Sequence, residues 1–231
     1  MKKIRFLRVQ FANEIAFKEI PLFRGAIIAG VSQDSTLFHN HQGNKLRYGY
    51  PLIQYKRIRR KAGLVCLEEG TDQVHDFFNN QIRQLRIGGR TIDLSVDQIQ
   101  LHEYTMQAWD KSFAYRIHNW MPFDAEKYLH YKTLEDEFDQ LHFLETILRG
   151  NLLTMAKGLH WQLDREVKVR INQILRNQLL PYKDLMMQTF SLEFRCNIWL
   201  PPHIGLGRKP SMGFGCVTPL INNAKINVHE S

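Results

Sequence analysis

Residues 205–215 read Gly-Leu-Gly-Arg-Lys-Pro-Ser-Met-Gly-Phe-Gly, and the reading of this stretch decides the fold. Two Gly-x-Gly pairs, Gly205/Gly207 and Gly213/Gly215, enclose five residues that include Arg208 and Lys209. Glycine reaches positive φ and lets a backbone approach a bulky ligand closely. Amides exposed in such a loop can bind phosphate oxygens, and the two cations add charge that neutralises a nucleic-acid backbone. The stretch lacks the Gly-Lys-Ser/Thr ending of a nucleotide-binding P-loop and does not open a helix. A β-hairpin whose glycines only turn the chain is the competing reading.

Upstream, Phe190, Leu192, Phe194, Cys196 and Ile198 alternate as in a strand, and Cys216–Leu220 reads as another. The loop therefore joins two strands. Further back, residues 113–120 and 167–175 read as strands, with an amphipathic helix from Leu134 to His160 between them. Its apolar stripe is Leu141, Leu144, Ile147, Leu148 and Leu152, with Gly150 as a candidate bend. The acidic run 135–139 opens this helix, where carboxylates suit the dipole. Met186, Met187 and the leucines of the helix are assigned to the core.

The first half repeats the pattern in fuller form. Residues 4–11 alternate apolar and basic side chains as a half-buried strand, and a helix follows Pro21, ending near Asp34–Ser35. Residues 50–59 and 62–69 read as two strands about a basic turn. Thr71–Asp72 can cap a helix running to Gln81, and residues 83–89 return as a strand. The order β-α-β-β-α-β is ferredoxin-like. Residues 90–110 are extended and polar, a bridge to the second unit. The expected fold is α+β, two tandem ferredoxin-like (RRM-like) domains with the second abbreviated: 1–105, 106–220, and a tail at 221–231.

The 231 residues carry a formal charge of +8 and 44% hydrophobic residues, which fits a globular protein with a polyanionic partner. No apolar run approaches the ~20 residues of a membrane span, and the N-terminus lacks the apolar stretch of a secretory leader. Cys66, Cys196 and Cys216 match no zinc spacing and read as buried thiols. The expected location is cytoplasmic, away from membranes.

Ile204 followed by the glycine loop resembles the hydrophobic-GxG-x5-GxG signature of the CRISPR-associated endoribonucleases that process precursor CRISPR RNA. The stretches Phe23–Ile27, Leu37–His41 and Leu46–Ile58 resemble the N-terminal half of one branch of that family, and the likeness covers most of residues 4–220. It implies two ferredoxin-like domains facing a basic cleft, CRISPR repeat RNA as partner, and no metal or other cofactor. Contact with other CRISPR effector subunits and a homodimer stand as further possibilities.

Within the Phe38–His41 stretch, His39 and His41 stand two apart, close to Tyr48, Lys45 and Arg47. RNA can be cut without metal because its own 2′-hydroxyl is a nucleophile. The reaction then needs a base, an acid for the departing 5′-oxygen, and a partner for the phosphorane charge. Histidine suits both proton roles. The resemblance assigns His39, His41 and Tyr48 as catalytic, leaving a 2′,3′-cyclic phosphate and a 5′-hydroxyl; which histidine is base does not follow from spacing. Lys45, Arg47, Arg57, Arg59, Arg60 and the glycine loop (Gly205, Gly207, Arg208, Lys209, Gly213, Gly215) are expected to bind RNA. The alternative is a non-catalytic subunit that holds a processed guide RNA.

Overall fold

The computed structural model describes residues 1–31, 41–42, 45–46, 49–79 and 84–220. The expected site residues His39, Arg47 and Tyr48 and the tail 221–231 lie outside the described residues. The strands are β1 (Lys2–Glu14), β2 (His41–Gln42), β3 (Lys45–Leu46), β4 (Ile53–Ile58), β5 (Lys61–Leu67), β6 (Gln84–Ile87), β7 (Arg90–Asp93), β8 (Val96–Met106), β9 (Ala108–Trp120), β10 (Val169–Tyr182), β11 (Leu185–Ile198) and β12 (Cys216–Pro219). The helices are α1 (Ile20–Gly30), α2 (Glu69–Asn79), α3 (Ala125–Thr133) and α4 (Glu137–Gly158).

The first sheet has the order β4-β5-β1-β8 with every neighbour antiparallel. Numbered along the chain this is 4-1-3-2, the ferredoxin-like arrangement. The fourth strand is not the one the pattern suggested. Residues 84–87 do form a strand, but Gly88 and Gly89, at φ +56° and +85°, turn it back into a hairpin with β7. That hairpin buries Leu85 and Ile87 in the core under α1. The sheet is completed by β8, which pairs with β1 from Lys2↔Met106 to Phe11↔Val96. As an edge strand with mostly exposed side chains, β8 carries little apolar alternation, so it reads as linker. Helix α2 starts at Glu69, ahead of the Thr71–Asp72 cap, and α1 stops at Gly30 rather than near Ser35.

The second sheet repeats the topology: β10-β11-β9-β12, again all antiparallel and again 4-1-3-2. The first crossover is the pair α3 and α4. Leu134 caps the end of α3, and Asp136 caps α4 by accepting from the Phe138 amide at 2.5 Å, so the acidic run does open a helix. Helix α4 runs unbroken through Gly150 and buries Leu144, Ile147, Leu148, Leu152 and Met155. No second crossover helix is present among the described residues; the segment 199–215, with the glycine loop, takes that place. This is the abbreviation expected from the sequence. Met186 is 58% exposed on the protruding β10–β11 hairpin, which corrects its assignment to the core.

One core joins the two sheets. Successive residues of β1 point to opposite faces: Val9 and Phe11 pack under α1 and α2, whereas Ile4 and Phe6 join Tyr50, Leu52 and Val65 in a cluster shared with Trp120, Leu148, Leu192, Ile204 and Leu206. The halves meet by burial of apolar side chains, the dominant favourable term in folding.

Candidate nucleic-acid interface

The glycine loop is fastened at both ends and along its length. At its base, His203 donates its amide to Val217, Val217 to Ile204 and Leu206 to Gly215, at 2.7–2.9 Å. Along β4, even-numbered residues point at the loop. The Gln54 side-chain oxygen accepts from the Gly205 amide at 2.8 Å, and the Lys56 ammonium donates to the Pro210 carbonyl at 3.0 Å. The Tyr50 hydroxyl donates to the Gly205 carbonyl at 2.7 Å.

Glycine is required here by space. A Cβ on Gly205 would lie 2.6 Å from the Lys56 nitrogen and 2.7 Å from Pro210. Gly215 has φ +62°, and a Cβ would lie 1.8 Å from the Leu206 carbonyl oxygen. Gly205, Gly213 and Gly215 are buried, and their amides donate to Gln54, Pro210 and Asn119. The expectation of exposed amides open to phosphate is corrected for these three: Gly205 ties the loop to β4 of the first sheet, Gly215 ties it to β9 of the second, and Gly213 closes a turn within the loop. Arg208 and Lys209 do project into solvent. Arg208 lies 4.0 Å from Asp124, and the Lys209 ammonium stands 5.5 Å over the Tyr182 ring.

Beside the loop lies a cavity of about 370 Å³ with walls from both sheets, including Lys56, Arg57, Arg59, His118, His203 and Thr218. Arg59 and Arg60 form the β4–β5 turn at φ +49° and +73°. Arg57 and Arg59 face the cavity, whereas Arg60 turns to Glu14 at 3.3 Å. Arg57 also donates to the Ile15 carbonyl at 2.6 Å. His118 lies 3.1 Å from the Thr218 hydroxyl and His203 lies 3.9 Å from the Cys216 sulfur. Burial, aided by the charges of Arg8, Lys56 and Arg59, pushes His203 down to about 4. Burial and then Arg116 lower His118. Burial brings Lys56 down to about 8, with Cys216 opposing. At neutral pH Lys56 therefore still carries its charge, and the imidazole of His203 is neutral.

The structure thus gathers Arg57, Arg59 and the loop into one inter-sheet cleft. His41 and Lys45 lie on the two-stranded ladder β2–β3, in register His41↔Leu46 and Gln42↔Lys45. Sequence reasoning missed His118 and His203: they stand 85 residues apart, in no motif, and only the closure of β9 against the glycine-loop segment unites them.

Two sheets in 4-1-3-2 order, with a glycine loop in place of one helix and a basic cleft beneath it, define a tandem ferredoxin-like protein. Residues 2–105 match the family model of the Cas6b N-terminal domain and residues 107–220 that of the Cas6b C-terminal domain. The chain belongs to the Cas6b family. A solved Cas6b structure superposes over 95% of this chain and 100% of its own, with TM-score 0.85 and 28% identity. A second, a CRISPR RNA processing endoribonuclease Cas6b, has TM-score 0.73 and 24% identity over the same shares. Uncharacterized protein MJ0978 of Methanocaldococcus jannaschii is 36% identical over 101 residues, 44% of this chain and 67% of that protein. No described helix is long and apolar enough to cross a membrane.

Proposed function

We propose that this Cas6b-family chain, an endoribonuclease of CRISPR RNA processing, cuts repeat RNA at one site by attack of the RNA's own 2′-hydroxyl, with residues 1–105 and 106–220 as its two domains. One histidine of the pair His39 and His41 takes the 2′-hydroxyl proton. The 2′-oxygen bonds to the adjacent phosphorus, the bond to the 5′-oxygen breaks, and the other histidine protonates that oxygen. The products are a 2′,3′-cyclic phosphate and a 5′-hydroxyl, with no metal required. Tyr48, Lys45 and Arg47 hold the scissile phosphate, and Arg57, Arg59, Arg60, Arg208 and Lys209 hold its neighbours.

The observation that carries this reading is the basic cleft closed by the glycine loop. Tyr50, two residues beyond Tyr48, hydrogen-bonds to Gly205 of that loop, which supports a histidine stretch that works beside it. The test is incubation of the pure protein with repeat RNA in EDTA. Specific cleavage is expected, and His41→Ala should slow single-turnover cleavage by about 10²-fold, the usual scale for a positioned acid or base, with little change in RNA affinity. His39→Ala should also slow it. Binding without cleavage would instead indicate a guide-RNA-holding subunit, and wild-type rates in both variants would move the active site elsewhere.

A further inference from the structure

The second sheet has a face that its helices do not cover. On β9 and β11, Tyr115, Ile117, Leu192 and Phe194 enter the core, and the alternate residues Arg116, His118, Glu193 and Arg195 lie on the opposite face. One end of that face joins the glycine-loop cleft through His118 and Thr218. At the other end, where β9 and β10 begin and β11 ends, lies a depression of about 500 Å³.

Its composition is unusual for a surface that serves only stability. Five cations line it against two carboxylates, Asp110 and Glu166. Asp110 is bonded to Arg165, and Glu166 lies 3.6 Å from Arg149. Arg170 and Arg195 are direct cross-strand partners. Like charges in that position destabilise a sheet. Arg195 bonds to the Ser112 hydroxyl at 3.1 Å rather than to an acid. A fixed pair of guanidiniums, with Lys168 beside them, is a ready partner for phosphate oxygens. The wall also holds Trp109. Its indole N–H is buried without a partner, and the Lys111 ammonium stands 5.4 Å over its ring. Cations beside an aromatic face make up the usual recognition surface for single-stranded nucleic acid.

We propose that this depression is a second RNA-binding site, holding phosphates of single-stranded RNA on Lys168, Arg170 and Arg195 with one base stacked on Trp109. The proposal rests on the RNA-processing reading above. His118 in the cleft and Ser112 in the depression lie six residues apart on one strand, about 20 Å at the usual rise. A single strand running along the open face, past Arg116, reaches both. The site would grip a part of the RNA away from the cut and add affinity without taking part in the chemistry.

The test compares a repeat-length RNA with a short oligomer spanning only the cleavage site, each titrated between 50 and 200 mM salt. Lys168→Gln with Arg170→Gln should cost the long RNA about 10-fold in affinity at 0.15 M salt and flatten its log–log salt slope by about 1.4, at ~0.7 per lost contact to a single strand. Trp109→Leu should cost about 5- to 150-fold. The short oligomer should bind and be cut by both variants as by wild type. A thermal melt of Trp109→Leu separates a lost stack from a lost fold, and the surface pair tests the site whether or not that variant folds. If wild type cuts and both folded variants bind the long RNA with unchanged affinity and slope, this inference fails alone. If wild type binds through the pocket but does not cut, the site stands and the endoribonuclease reading fails.

Discussion

Gly215→Ala should be among the most damaging single-methyl changes in the protein. Gly215 sits at φ +62°, where an L side chain costs about 1–2 kcal/mol. Its new Cβ would fall 1.8 Å from the Leu206 carbonyl oxygen, a backbone atom that cannot swing away. Relief requires shifting a strand, an overpacking cost of about 1–3 kcal/mol. The shift also disturbs the bonds Leu206 N–H to Gly215 O at 2.9 Å and Gly215 N–H to Asn119 O at 3.2 Å, at about 1 kcal/mol each. The total is about 4–7 kcal/mol, a large part of the 5–15 kcal/mol typical of whole proteins. Urea unfolding followed by circular dichroism reads it: with m of about 3 kcal/mol/M, the midpoint falls by roughly 1–2 M. Gly150→Ala is the control. It adds the same methyl in the middle of α4, where the Cβ meets nothing within 4 Å, and should raise stability by about 0.5–1 kcal/mol. If Gly215→Ala unfolds at the wild-type midpoint, the loop is not packed against Leu206 and Asn119 as tightly as these distances require.

Two further outcomes follow from the same cleft. Lys56 is fully charged below its native value of about 8, and its burial penalty is then fully present; between there and the unfolded value of 10.5 the unfolded chain binds more protons, so its contribution to stability rises with pH. From pH 7 to pH 9 the gain is on the order of 1 kcal/mol. Buried Tyr50, Tyr55 and Cys66, whose values are raised, act in the opposite sense at alkaline pH. The effect is therefore read as the stability difference between wild type and Lys56→Met at the two pH values, and a constant difference would contradict it. Arg208→Ala with Lys209→Ala should leave the melting temperature within a few degrees and flatten the salt dependence of RNA binding by ~0.7 per lost contact, while cleavage at saturating protein persists. An unchanged slope would remove these two side chains from the interface.

Strand β11 could be read because alternation survives where a core lies on one side, and β5, buried on both faces, could be read as a short apolar run between turn residues. The fourth strand could not. An edge strand such as β8 is held by backbone bonds to β1, and backbone bonds leave no trace in the choice of side chains. The Gly88–Gly89 turn is visible in the sequence, yet whether β6 enters a sheet or folds back over α1 depends on what lies beside it. In the site, Arg57, Arg59, Arg208 and Lys209 stood out as charge in strand ends and loops. Lys56, in the same basic run, is fully buried, and its alternation with Tyr55 becomes meaningful only once the loop covers β4. The glycines announced a special backbone, but the same residues serve a ligand's approach or a close packing contact. Distances to Lys56, Pro210 and Leu206 decide between the two.

In the proposed mechanism the RNA supplies its own nucleophile for the cut made by this chain. This step is tested most directly by repeat RNA carrying a single 2′-deoxy nucleotide on the 5′ side of the scissile phosphate, incubated with the wild-type protein in EDTA. Tight binding and no cleavage at that position are expected, with the unmodified RNA giving a 2′,3′-cyclic phosphate end. Cleavage of the 2′-deoxy RNA at the same site and rate would contradict it.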